Sequence, residues 1–218
     1  MVSNATIVGS GFSNGQVRPV LLIERSSLLI KHSIFVNTTT AYGGGYTYCE
    51  GAAIYSEFSI LNIEQSDFLQ NRVDCIVNFA AVGGAIYAFT TNVSITDSTF
   101  IKNSALHSGG AIDINGGSLE IFNSFFGHNS ADRGTGGAIH VYAGFNSVSI
   151  RDSRFLNNSA HADFFFKGSG GAIYIEGRGP NNISFFNTTF KENSAGSCGV
   201  MRIMNFNTYH NVSMHHQQ

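Results

Sequence analysis

The chain has 218 residues, a formal charge of −2, 12% charged and 43% hydrophobic residues, 25 Gly, 19 Phe, 2 Pro and no Trp. Its polarity is carried by Asn, Ser and Thr, which excludes a coiled coil and a charge-rich disordered tail. The near-neutral balance gives no electrostatic basis for binding nucleic acid or an anionic membrane surface.

No membrane-spanning segment is expected. The longest apolar stretch, residues 76–89, is broken by Asn78, Gly83 and Gly84 and is too short to cross a bilayer. The opening residues Met1-Val2-Ser3-Asn4 carry no signal-peptide pattern.

In chain order, one short pattern returns seven times. Ala5, Ile7, Ser10 and Phe12 open it, followed by Leu28, Ile30, Ser33 and Phe35, then Leu61, Ile63, Ser66 and Phe68. Val93, Ile95, Ser98 and Phe100 come next, then Leu119, Ile121, Ser124 and Phe126, then Val148, Ile150, Ser153 and Phe155. Ile183, Phe185, Thr188 and Phe190 form the last copy. Three residues beyond the Phe stands Asn71, Asn103, Asn129, Asn158 or Asn193, with Gly15 and Thr38 in that place in the first two copies. Between copies lies Gly-Gly-Ala-Ile, at 83–86, 109–112, 136–139 and 170–173, with weaker versions at Gly51-Ala52-Ala53-Ile54 and Cys198-Gly199-Val200-Met201.

The apolar alternation before each Phe has period two, the mark of a strand with one buried face. A second strand follows the glycines, as in Ile112-Asp113-Ile114 and Ile173-Tyr174-Ile175. Successive Phe are 23, 33, 32, 26, 29 and 35 residues apart. A constant signature with variable spacing means rigid strands joined by loops that tolerate insertion. Two or three short strands per repeat fit one coil of a parallel β-helix, with like residues stacked about 4.8 Å apart. The expected fold is an all-β, right-handed parallel β-helix of about seven coils, one repeat domain over 1–218, without terminal caps.

The alternation of Gly-Gly-Ala-Ile with Phe-x-x-Asn resembles the repeat of the chlamydial polymorphic outer-membrane proteins, and it covers nearly the whole chain. The resemblance implies an autotransporter-passenger-like β-helix exposed at a cell surface and used in adhesion. The chain differs from that family in having no secretion signal and no translocating β-barrel. The sequence Asn211-Val212-Ser213-Met214 repeats Asn92-Val93-Ser94-Ile95, so the chain stops inside a coil. A fragment of, or unit within, a longer solenoid is therefore expected. Its partners would be further copies of itself or further coils of a parent chain, as in a filament. A host-cell receptor or glycan is the other candidate partner.

Several motifs bear on chemistry. Gly11-Phe12-Ser13-Asn14-Gly15 matches a nucleophile elbow but lies on a repeat Phe rather than at a strand–helix turn. The rival function is a polysaccharide lyase or hydrolase on a pectin-lyase-like β-helix. Its acidic residues would come from the column three before each Phe: Gly9, His32, Gln65, Asp97, Asn123, Asp152 and Asn187. Asp97 and Asp152, one coil apart from being neighbours, would stand about 9.6 Å apart, a spacing suited to an inverting pair. Asp and Asn are also the residues that tight corners use, and no Lys or Arg joins that column. A non-enzymatic reading is preferred, with no cofactor and no metal site.

A possible outward binding column follows the glycines: Tyr55, Tyr87, Asp113, His140 and Tyr174, continued by Arg202. Exposed Tyr supplies contact area at low entropy cost, although Tyr also simply favours strands. Cys49 and Cys75 lie one coil apart and are expected to pair, leaving Cys198, in place of the first Gly of its motif, unpaired. Seven Asn-x-Ser/Thr sequons occur, at Asn4, Asn37, Asn92, Asn157, Asn182, Asn187 and Asn211. Asn4, Asn92, Asn182 and Asn211 occupy one repeat position, and in a secreted eukaryotic chain they would carry glycans along one edge.

Overall fold

The structure, a computed structural model, describes residues 4–13, 19–41, 49–75, 81–162, 167–177, 181–205 and 210–215. Among them there is no helix, and every strand pairing is parallel, between a residue and its counterpart one repeat away. The fold is a parallel β-helix.

Its walls are three ladders. The second sheet takes one three-residue strand from each Phe copy: Gly11–Ser13, Ile34–Val36, Asp67–Leu69, Thr99–Ile101, Phe125–Gly127, Arg154–Leu156 and Thr189–Lys191. The third sheet follows the Asn position, from Thr39–Ala41 and Arg72–Asp74 to Ser194–Ala195. The first and largest sheet carries both the strand after the glycines and the strand before the Phe.

Separate short strands were expected there, yet three repeats run through in one piece: Ile86–Thr96, Ile112–Phe122 and Ile139–Arg151. The backbone changes direction within them through left-handed residues such as Thr90 at φ 47° and Gly117 at φ 91°, where the pairing skips Thr90 and Gly116 and shifts register around Gly117 before resuming.

The interior is built from columns of like residues. Phe35, Phe68, Phe100, Phe126 and Phe155 are fully buried and stack ring on ring, with centroids 4.7–4.8 Å apart and planes within 6° of parallel. Burial is worth about 1.5–3 kcal/mol for each Phe, and stacking adds about 0.5–1.5 kcal/mol per pair. Leu61, Val93, Leu119 and Val148 form a second buried column, and Ile30, Ile63, Ile95, Ile121 and Ile150 a third.

Polar columns close the corners. Asn103 Nδ2 donates to the Phe68 carbonyl at 3.0 Å and to Asn129 Oδ1 at 3.0 Å, and its backbone N–H donates to the same oxygen. Asn71, Asn129 and Asn158 repeat this arrangement. Thr38, in the Asn place, still donates its hydroxyl to Asn71 Oδ1 at 2.7 Å. The Ser two before each Phe turns its hydroxyl to a carbonyl two residues back and accepts the N–H of the previous coil's Ser, as Ser98 does from Ser66. These buried polar atoms are satisfied along the axis, which is why one residue type recurs at each place.

The two motif glycines serve different needs. Gly109 sits at φ 60°, where a Cβ would strike the Ile112 carbonyl, while a Cβ on Gly110 would strike the Gly137 carbonyl of the adjacent coil. The first makes the turn and the second permits the approach of coils.

Candidate functional site

The most chemically varied surface lies where the large sheet's outer face meets the chain just before the glycines. Strand pairing sets Tyr55, Tyr87, Asp113, His140, Tyr174 and Arg202 in one register line. Beside them run Cys49–Glu50, paired with Ala81–Val82, and the bridges Val82–Ser108–Thr135–Ser169–Cys198.

This column is less open than an outward ladder requires. Tyr87, Asp113 and Tyr174 are 7%, 4% and 6% exposed, while Tyr55 and His140 are half-buried. Side chains of one coil cover those of the next: Tyr55 packs on Tyr87 at 5.5 Å and His140 on Tyr174 at 5.4 Å. The Tyr55 and Tyr174 hydroxyls donate to Glu57 Oε2 and Glu176 Oε2, at 3.1 and 2.8 Å.

At the centre, His140 Nδ1 lies 2.7 Å from Asp113 Oδ2. Glu50, which sequence reasoning passed over, stands close to the Tyr87 hydroxyl and the Asp113 carboxylate. Burial, and then the Asp113 carboxylate, push the Glu50 carboxyl up to about 7. Burial likewise raises Tyr55 and Tyr174 to about 12, reinforced by their bonds to Glu57 and Glu176, and raises Tyr87 further. The arrangement can store a proton on Glu50 near neutrality. Glu50 stands outside the repeat signature, so no periodicity marks it.

Asp97 and Asp152 are in the same column with Asn123 between them, but the column is a structural corner. His32, Gln65, Asp97, Asn123, Asp152 and Asn187 all have φ between 45° and 52°. Asn and Asp tolerate that left-handed conformation best. Each Asp also accepts from the next coil's Asn: Asn123 Nδ2 to Asp97 Oδ1 at 2.6 Å and Asn187 Nδ2 to Asp152 Oδ1 at 2.7 Å. Ser13 of the elbow-like motif ends a three-residue strand; Asn14 and Gly15 lie outside the described residues.

Cys49 and Cys75 are joined by a disulfide with Cα atoms 6.2 Å apart. Cys198 is a free thiol, and its sulfur accepts from Arg202 Nη1 at 3.3 Å. Its register differs from the expected one. Cys198 bridges Ser169, in line with Ser108 and Thr135, and so stands one place before the glycines instead of replacing the first.

The seven sequons reduce to three repeat positions. Asn4, Asn92, Asn182 and Asn211 lie on strands of the large sheet and share one register line; the Asn211 side chain lies outside the described set. Asn37 and Asn157 are left-handed residues, both at φ 54°, beside the buried polar column. Asn187 is the left-handed corner residue bonded to Asp152.

Fold and surface together define a parallel β-helical repeat protein. Two of its segments, residues 97–115 and 152–176, match the Chlamydia polymorphic membrane protein repeat. The chain is also similar to metabotropic glutamate receptor-like protein P of Dictyostelium discoideum, 32% identical over 140 residues, or 64% of this chain and 9% of that protein. A transmembrane domain-containing protein of the same organism is 25% identical over 162 residues, 73% of this chain and 9% of that protein. The chain thus spans under a tenth of the length of these curated relatives. No solved structure matches it significantly.

Proposed function

We propose that the chain is a rigid, extracellular β-solenoid module of a larger membrane-anchored protein, serving as a structural stalk with an adhesive flank. The observation that carries this reading is the unbroken coil-on-coil pairing of three sheets, combined with repeats of a membrane-protein family. A solenoid contacts only neighbouring coils, so its length can grow without redesign, and its flanks offer an extended surface to a partner. Further coils of a parent chain are its nearest partners, and a host-cell receptor or glycan is the partner on the flank.

Two measurements test this. Antibodies against the folded chain should label intact, unpermeabilised cells of the organism that makes it, and protease added outside should remove the signal. Labelling only after permeabilisation would overturn the extracellular placement. Beads coated with the chain should attach to target cells above beads coated with an unrelated solenoid, and equal attachment would overturn the adhesive role.

A further inference from the structure

One register line of the large sheet runs Asn4, Ser27, Ile60, Asn92, Ser118, Ser147, Asn182 and Asn211. Sequons therefore stand three coils apart at Asn4, Asn92 and Asn182, with a further one at Asn211 on the coil after Asn182. We infer that Asn4, Asn92 and Asn182 are acceptors of N-linked glycans, which stand in a single row along the outer face of the large sheet. The inference rests on the extracellular reading above.

Local geometry favours these three. All are exposed, and among the described residues no side-chain hydrogen bond engages their amides. Strand alternation points the middle residue of the Asn92 and Asn182 sequons inward, where Val93 and Ile183 are buried in the core, and Ala5 holds the same register place on the first, more exposed strand. Each acceptor amide and its hydroxyl partner, Thr6, Ser94 or Ser184, are thereby turned to the outer side of one strand. Asn187 differs in every respect: it is half-buried, left-handed at φ 45°, and its amide nitrogen is already donated to Asp152 at 2.7 Å.

Two further observations fit a sugar-covered row. Ile60, in the same line between Asn4 and Asn92, is 47% exposed, and Val8, on the Asn4 strand, is 57% exposed. Apolar side chains on an outer face invite association unless covered. The Cys49–Cys75 disulfide belongs to an oxidising compartment, where glycan transfer also takes place. Three coils separate neighbouring acceptors by about 14 Å, enough for each to carry its own oligosaccharide.

The reaction joins Asn Nδ2 to the anomeric carbon of a lipid-diphosphate-linked oligosaccharide. The bond from that carbon to the diphosphate oxygen breaks, the lipid diphosphate leaves, and the amide proton passes to a base of the transferase.

The test expresses the full chain behind a cleavable secretion signal in eukaryotic cells, with site occupancy read on retained and secreted material together. Glycan removal by an amidase in 18O-water should convert Asn4, Asn92 and Asn182 to labelled Asp and leave Asn187 unlabelled. Thr6→Ala, Ser94→Ala and Ser184→Ala should each remove one glycan's mass. An unlabelled Asn92 or Asn182, or a labelled Asn187, overturns the row. Because the signal is supplied, an empty row leaves surface presentation to the antibody measurement on intact cells, so the two readings fail separately.

Discussion

The Phe–Asn corner and the outer column from Tyr55 to Arg202 are built on the same coils and obey opposite rules. At the corner, five Phe and their Asn neighbours repeat almost without change, because each ring or amide finds its partner in an identical group one coil away. On the outer face, successive coils offer Tyr, Tyr, Asp, His, Tyr and Arg; Tyr55 meets Tyr87, and the rest meet as unlike pairs such as Asp113 with His140. Repetition thus belongs to the places where each group finds its partner only in its own kind one coil away. Individuality belongs to the face where partners can differ.

The largest expected effect lies at the corner. Phe126→Ala removes a fully buried ring stacked at 4.8 Å on both Phe100 and Phe155. It should lower unfolding free energy by about 3–5 kcal/mol in a denaturant titration. A loss no greater than that of a surface substitution would break the contrast.

The disulfide is next. It closes a loop with a sequence separation of 26 on the irregular side of the coil. The Cys49→Ser, Cys75→Ser double variant should lose about 2–4 kcal/mol, chiefly through the unfolded chain. Peptide mapping without reduction checks the bond itself: a linked pair is expected, and two free thiols in folded protein would remove it from the account.

Asn129→Ala tests the polar half of the corner. It leaves the Phe100 carbonyl without its donor and both Asn103 N–H groups without their acceptor. A loss of about 2–3 kcal/mol is expected, since orphaned buried polar groups cost their desolvation. Asn129→Asp should do worse at pH 7 than at pH 4, because a carboxylate faces the Phe100 and Asn158 oxygens that the amide served.

The smallest effect belongs to the outer column and has a sign. Glu50 is raised from 4.5 to about 7, so between those values the folded chain holds a proton that the unfolded chain has released. Stability should be fully present below about 4.5 and decline as pH rises through about 7. Glu50→Gln should flatten that decline relative to the parent. An unchanged slope would assign the pH dependence to other groups.

What the sequence disclosed follows the same division. The columns of Phe, Ile, Ser and Asn were legible because identical stacking demands identical residues at fixed offsets. So were the glycines, which the turn and the close approach each require. Three things were not legible. The merging of strands at Thr90 and Gly117 depends on backbone angles that no signature fixes. The placing of Cys198 beside Ser169 depends on a residue missing from one coil. The Glu50–Tyr87 contact joins a residue outside the repeat to one within it, and only the folded path of the chain brings them together. The outward direction of the Tyr column followed from alternation. Its burial did not, because coverage comes from the neighbouring coil and the adjacent bridges.

The stacking of like on like along one axis is tested most directly by hydrogen exchange of the Asn side-chain amides. In an isotope-labelled chain, the Nδ2 protons of Asn71, Asn103, Asn129 and Asn158 should exchange only on global unfolding, while those of exposed Asn92 exchange freely. Free exchange at Asn103 and Asn129 under native conditions would contradict the ladder, and with it the coil-on-coil account of the fold.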